Sequence, residues 1–320
     1  MQVHRNLDEL PLFRNAIVTI GTFDGVHLGH QQIIRQLKEE ATATNGETII
    51  VTFHPHPRKI VSSVPGDIKL LTTLDERIEL LSKTGIDHLV VVPFNNKFSN
   101  LSAEEFITEF LYKSFRPHTL IIGYDHRFGK GRKGDYHLLE SFGKQLGFAV
   151  KEINEELLNE AIISSTKIRT ALLEHDIDTA NSFLGYHYFF AGTVVEGNKL
   201  GRTIGYPTAN LHIESEEKLI PADGIYACEV KIENKESSMV NGQSSPVHKG
   251  MMYIGNRPVV GGKHRTIEVN IFDFDADIYG ETLKVFMHDY IRGDVPLNGM
   301  DELKAQLARD KEAILEVLKQ

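Results

Sequence analysis

The chain has 320 residues, enough for two domains with sizeable cores. Its 35 Lys and Arg against 44 Asp and Glu leave a net charge of −9, which argues against a general nucleic-acid binder without excluding local basic sites for phosphate. Cys228 is the single cysteine, which excludes an internal disulfide; no apolar run approaches the roughly 18 residues of a membrane span, and residues 1–10 lack the apolar stretch of a signal peptide, so a cytoplasmic protein with no membrane partner is expected.

The first half alternates short apolar runs with helical patterns. Strands are expected at 16–21, 48–53, 88–94, 119–124 and 148–153, and helices at 29–43, 73–84 and 102–114. Thr73 with Glu76 and Ser102 with Glu105 have capping-box spacing and mark two helix starts. Buried strands alternating with helices predict an α/β domain on a parallel sheet, whose ligands bind beyond the carboxyl ends of the strands. A further helix starts at Ser164 or Ser165, another covers 178–184, and the rhythm changes at Gly185. From there strands follow one another at 187–196, 224–233, 250–255, 265–274 and 282–290, with glycine-rich turns between them. That pattern predicts an all-β barrel or sandwich, closed by an amphipathic helix from Met300 to Leu318. Residues 234–248 read as a polar surface loop. The expected domains are therefore 1–184 and 185–320.

The densest signal in the first half is Gly21-Thr22-Phe23-Asp24-Gly25-Val26-His27-Leu28-Gly29-His30, between the first strand and the first helix. A helix N-terminus presents free N–H groups and a positive dipole end, and Gly21, Gly25 and Gly29 let the backbone approach a phosphate closely. His27 and His30, three apart, share a helical face and can both reach a polyphosphate. Three further segments fall at the same end of the expected sheet: residues 52–58 with His54 and His56, the loop 123–135 with Asp125, Lys130, Arg132 and Lys133, and Ser164 to Arg169. Adenylyl transfer fits such a rim, because it needs an attacking phosphate held in line and developing charge stabilised rather than covalent help. Arg169, one turn into a serine-capped helix, suits the leaving pyrophosphate.

In the second half, Gly201-Arg202-Thr203-Ile204-Gly205-Tyr206-Pro207-Thr208-Ala209-Asn210 places two neutral oxygens, on Thr208 and Asn210, two residues apart. In an extended segment they face the same way, which suits Mg²⁺ bridging phosphates; a simple Pro-Thr turn capped by Asn is the alternative. Glu268 stands in a strand of apolar and β-branched residues and is either an exposed edge residue or a base for a hydroxyl proton. Asp273, Asp275 and Asp277 lack the glycine and closing glutamate of a calcium loop and are expected to end the strand.

The motif at 21–30, the 123–135 loop and Ile163-Ser164-Ser165-Thr166-Lys167-Ile168-Arg169 together resemble the first domain of the bacterial bifunctional riboflavin kinase/FMN adenylyltransferases, also called FAD synthetases. The segments around Thr208 and Glu268, in that order, resemble their second domain. The likeness covers about residues 15–319 and implies a Rossmann-like nucleotidylyltransferase domain followed by a six-stranded Greek-key riboflavin kinase barrel with a terminal helix. It implies phosphorylation of riboflavin by ATP to FMN, then adenylylation of FMN to FAD, with Mg²⁺ accompanying ATP and only small-molecule substrates as partners of a monomer or transient homo-oligomer. Carried over residue by residue, His27 and His30 act on the phosphates, while Gly21, Phe23, Asp24, Gly29, Asp125, Ser164, Ser165 and Arg169 hold the first ATP. Gly201, Gly205, Thr208 and Asn210 hold the kinase's ATP and Mg²⁺, Glu268 is the base, and His56 and Arg292 contact flavin. His54, His126, Asn270 and Gly293-Asp294 depart from the family's usual pattern. Two alternatives remain open on the residues alone: a kinase whose first domain adenylylates another phosphate, and a flavin or nucleotide sensor without turnover.

Overall fold

The computed structural model describes residues 1–61, 68–123, 126–153, 163–197, 200–233, 246–259 and 262–319. Its contacts divide the chain into two compact units, Met1–Ser165 and Thr166–Gln320.

The first unit is built on a six-stranded sheet. Its strands are β1 (Gln2–His4), β2 (Ile17–Ile20), β3 (Thr48–His54), β4 (His88–Pro93), β5 (Thr119–Gly123) and β6 (Ala149–Ile153). The order is β1-β4-β3-β2-β5-β6, and every pairing is parallel. β2 is buried at all four positions and β3 at all but the last, as continuous apolar runs covered on both faces require. Val18, Val51, Val90 and Leu120 pack on one side with Phe106, Ile107 and Phe110. Their neighbours Ile17, Ile50, Leu89 and Ile121 turn to the other side. There they meet Ile34 and Leu37 of α1 (Leu28–Thr44) and Leu81 of a later helix. α2 (Pro57–Val61) follows β3, and α3 (Leu74–Ser82) carries Leu81 and has the expected Thr73–Glu76 capping box. The Ser102–Glu105 box starts a composite helix of Ala103–Glu105, a π-helical stretch Phe106–Tyr112, and Lys113–Phe115. β1 and α4 (Tyr136–Leu146) lie outside the expected elements. The chain runs outward from β2 through β3 to β4 and then returns to β5 on the other side of β2. The strand order therefore reverses between β2 and β5, and the crevice at their carboxyl ends is where such sheets bind ligands.

The second unit opens with α5 (Ser165–Leu173), whose first residue closes the other unit, and α6 (Ile177–Leu184). A closed antiparallel barrel follows, in the order β10-β11-β8-β7-β12-β9. Its strands are β7 (Phe189–Val195), β8 (Ala209–His212), β9 (Gly224–Glu233), β10 (Val247–Val259), β11 (Gly262–Ile271) and β12 (Thr282–Arg292). β9, β10 and β11 form a meander and β12 returns beside β9, which is the Greek-key arrangement. Two expectations are corrected here. β8 is a strand in its own right, and Val247 and His248 belong to β10, paired with Lys231 and Val230, rather than to a loop. Residues 234–245 lie outside the described residues. α7 (Met300–Val317) packs Ile314, Leu307 and Leu315 against Ile225, Met251 and Phe272 of the barrel.

α5 and α6 are built into this second unit. Asn181 donates from Nδ2 to the Met287 carbonyl and accepts from Tyr188 N, while Ala222 N donates to the Leu172 carbonyl. Ile177, Ala180 and Leu184 of α6 are buried. A fragment beginning at Gly185 would lose that burial, worth about 1.5–3 kcal/mol for each large side chain. Thermal unfolding is expected to show a fragment starting at Thr166 melting several degrees above one starting at Gly185; equal midpoints would show that α5 and α6 are not part of the barrel's folding unit.

Candidate active sites

The first site grows from the turn after β2. Phe23, Gly25 and Val26 have φ of 49°, 84° and 39°. A β-branched residue in the left-handed region is strained, and the surroundings hold it there. Asp24 is 1% exposed, and its carboxylate accepts from Leu71 N, Thr72 N and Thr72 Oγ1 at 3.0–3.2 Å. Gly25 N donates to Thr72 Oγ1, and Ser165 Oγ donates to the Asp24 carbonyl. The turn is thus stitched to residues 71–72, and Asp24 faces that strap, not the cavity described below.

His27 is the N-cap of α1 and makes no side-chain cap bond, and the first amides of a helix have no partner within it. The His27 and His30 rings stack with centroids 3.7 Å apart, and Phe23 lies 4.9 Å from His30. Gly29 makes room for this pair, since a Cβ there would press on the His27 ring at 3.2 Å. His30 Nδ1 is buried with no hydrogen-bond partner among the described residues. Burial first, then the neighbouring His27 and Arg77, hold His30 well below the ordinary histidine range, so it is neutral near pH 7.

A cavity of about 690 Å³ opens beside the stacked pair, at the carboxyl ends of β2, β3, β4 and β5. Gly21, Phe23 and His30 form its floor. Phe53, Phe94, Phe98, Phe106 and Phe128 make an aromatic wall with centroid separations of 5.0–6.0 Å between successive rings. Arg58, Arg127 and Arg132 supply positive charge, with Arg127 paired to Asp135 at 3.0 Å. His126 also lines it, stacked on Phe128. The expected Gly21, Phe23 and His30 come together here, while His27 and Gly29 stand just behind. His56 is buried and accepts from Arg58 N on Nδ1, and it is Pro57 and Arg58 that reach the cavity. Ser164 precedes α5, Arg169 lies within it, and Asp125 falls outside the described residues. The aromatic wall was not expected, although Phe94 and Phe98 at helical spacing after β4 and Phe53 at the end of β3 carry the signal.

The second site lies on the barrel. Glu268 is in the middle of β11, 7% exposed, between Tyr253 of β10 and Asn210 of β8. The exposed-edge alternative is therefore ruled out. Thr208 Oγ1 donates to Glu268 Oε2 at 3.3 Å, and Asn270 Nδ2 donates to the Pro207 carbonyl at 2.6 Å, bracing the same segment. Gly201 and Gly205 shape the approach: Tyr206 N donates to the Gly201 carbonyl, a Cβ at Gly201 would strike the Tyr206 carbonyl, and Gly205 has φ 83°.

Two cavities meet at this point. One, of about 250 Å³, is lined by Gly201, Tyr206, Thr208, Glu268, Asn270 and Arg292, with Leu303 and Leu307 of α7 on its far side. The other, of about 660 Å³, is lined by Arg202, Pro207, Thr208, Phe274, Asp275 and Asp277. Thr208 is the residue common to both. Arg292 grips Asp310 of α7 through Nε and Nη2 at 2.9 and 2.6 Å, and this bond holds its guanidinium pKa above the usual value. β11 ends at Ile271, before the three aspartates, and Asp277 Oδ1 accepts from Tyr279 N in the turn that follows.

The oxygens of Thr208, Asn210 and Glu268 are hard donors of the kind Mg²⁺ accepts, and among the described residues no group of three or more His, Cys, Asp or Glu side chains could hold a metal alone. The residues fit a Mg²⁺ held largely by nucleotide phosphates.

Comparison with known proteins assigns a family to each half of the chain. Residues 11–167 match the FAD synthetase family model, and residues 184–318 match the riboflavin kinase model. The bifunctional riboflavin kinase/FMN adenylyltransferase of Escherichia coli K12 is 36% identical over 96% of this chain and 93% of its own. That of Listeria monocytogenes is 37% identical over 93% and 91%. A crystal structure described as a macrolide-efflux protein from Streptococcus pneumoniae superposes with a TM-score of 0.84 at 30% identity, covering 98% of each chain, and supports the fold. The chain accordingly belongs to the bifunctional riboflavin kinase/FMN adenylyltransferase family and converts riboflavin to FMN and FMN to FAD.

Proposed function

We propose that the barrel phosphorylates riboflavin across the junction at Thr208. The single observation that carries this reading is that Thr208 borders both cavities while its hydroxyl touches the Glu268 carboxylate. Riboflavin enters the smaller cavity and ATP the larger. Glu268 accepts the proton of the flavin 5′-hydroxyl as its oxygen bonds to the γ-phosphorus, and the bond to the ADP oxygen breaks. Thr208 and Asn210 would hold Mg²⁺, which neutralises phosphate charge. Arg292, fixed by Asp310, borders the flavin and ties α7 to the cavity it covers.

In the first unit FMN rests its ring system on the phenylalanine wall. An FMN phosphate oxygen attacks the α-phosphorus of ATP and pyrophosphate leaves. The amides opening α1, with His27 and His30, stabilise the charge that develops there. Gly21 and Gly29 allow this approach, and Asp24 keeps the turn in shape. We place the functional boundary between Leu184 and Gly185, with α5 and α6 folding as part of the barrel unit. The protein acts as a monomer or a transient homo-oligomer on small-molecule substrates. No helix among the described residues is long and apolar enough to cross a membrane.

The Thr208→Val variant tests the junction. It keeps the shape and removes the oxygen, so the kinase KM for MgATP is expected to rise about tenfold or more and kcat to fall. Riboflavin binding, read by quenching of its fluorescence, should change little. An unchanged KM for MgATP would move the nucleotide elsewhere.

A further inference from the structure

Arg77 is the largest fully buried side chain among the described residues, at 1% exposed, and it lies on α3 behind the adenylyl-transfer site. A buried guanidinium is costly unless its surroundings use its charge and its hydrogen bonds. Arg77 Nη1 donates to Thr52 Oγ1 at 3.1 Å and lies 3.5 Å from the Phe53 carbonyl, at the carboxyl end of β3. Thr52 Oγ1 in turn donates to the Thr22 carbonyl at 3.1 Å, inside the phosphate-binding turn. Arg77 does not line the cavity, so it acts through others.

We propose that Arg77 is a positioning residue for FMN adenylylation: its guanidinium fixes the Thr52 hydroxyl beneath the Thr22 carbonyl and lays a permanent positive charge behind His30. This rests on the reading of His30 as a residue of the adenylyl-transfer site. Burial and His27 already favour the neutral form of His30, in which one ring nitrogen donates and the other accepts, and the Arg77 charge adds to them, so that the two stacked imidazoles do not both become cations. Among the charged groups near His30, it is His27 and Arg77 that add to the effect of burial. The Asp24 carboxylate is engaged by residues 71–72, and Arg58, Arg127, Arg132 and His126 line the open cavity in front.

The test is a side-chain NMR titration of His30 in the substrate-free, full-length enzyme, with the pH profile of FMN-to-FAD conversion measured alongside. Removing a cation beside an imidazole favours its protonated form. In Arg77→Met the His30 midpoint and the acid limb of the profile should therefore both move up, by about half a unit or more. Arg77→Lys, which keeps the charge, should restore both. A purely structural role would lower activity and leave the midpoint in place, and an unchanged midpoint in folded Arg77→Met would overturn the proposal. If Arg77→Met does not fold, Thr52→Val decides. It cuts the link to Thr22 with the guanidinium present and should lower kcat for FAD formation about tenfold with riboflavin phosphorylation unchanged. A rate within about twofold of the parent would overturn the proposal. If instead His30→Ala leaves FAD formation intact, the reading of His30 has failed, and the titration still reports whether Arg77 sets its charge.

Discussion

Replacing Glu268 by Gln is expected to lower kcat for riboflavin phosphorylation by about 10²–10⁴, with KM for riboflavin and ATP within a few-fold. Glutamine keeps the side-chain shape and can still accept from Thr208 Oγ1, so the β11–β8 register and the bracing of Pro207 by Asn270 should survive. What it cannot do is take a proton from the flavin hydroxyl. FMN supplied directly should still be converted to FAD at the parent rate, because the residues that act on it lie in the other unit. Product chromatography starting once from riboflavin and once from FMN measures both. A Glu268→Gln variant that phosphorylates riboflavin normally would remove Glu268 from the chemistry. One that is folded yet loses both activities would undo the division between units.

The mirror expectation concerns His30. His30→Ala should reduce FMN-to-FAD conversion by about 10²–10³, the range seen when a preorganised donor to a developing charge is removed, and should leave phosphorylation of riboflavin intact. His30 is held below the ordinary histidine range by burial, His27 and Arg77, so the group is already neutral at pH 7 and stays neutral as the pH falls through the usual imidazole range. FAD formation in the parent enzyme is thus expected to keep its rate between pH 8 and about pH 6.5 as far as this group is concerned. A loss of rate near the ordinary imidazole value would mean that His30 is not shielded in this way. Riboflavin should pile up as FMN in the variant.

Much of this arrangement was legible in the chain because the signals were local. The two capping boxes, the run Ile17 to Ile20 and the glycine-rich turn before α1 each depend on residues within a few positions of one another, and each stands where expected. What escaped depends on partners far along the chain. β1 and β8 are three and four residues long and owe their strand character to β4 and to β7 and β11. Asp24 looks like a ligand in the motif, yet residues 71–72, some 47 positions away, decide that its carboxylate serves the turn. The aromatic wall is gathered from β3, the segment after β4, the composite helix and the loop after β5, so no single stretch announces it. Glu268 was ambiguous between edge and base until its neighbours on both sides, β10 and β8, were known.

In this reading, one chain breaks two molecules of ATP at different phosphorus atoms, one in each unit. Incubation of the enzyme with riboflavin and Mg²⁺ and either γ-labelled or α-labelled ATP tests this most directly. Label from the γ-position should appear first in FMN and then in FAD, and label from the α-position should appear in FAD alone, with pyrophosphate released. FMN carrying α-label, or FAD formed without it, would contradict the two-site account.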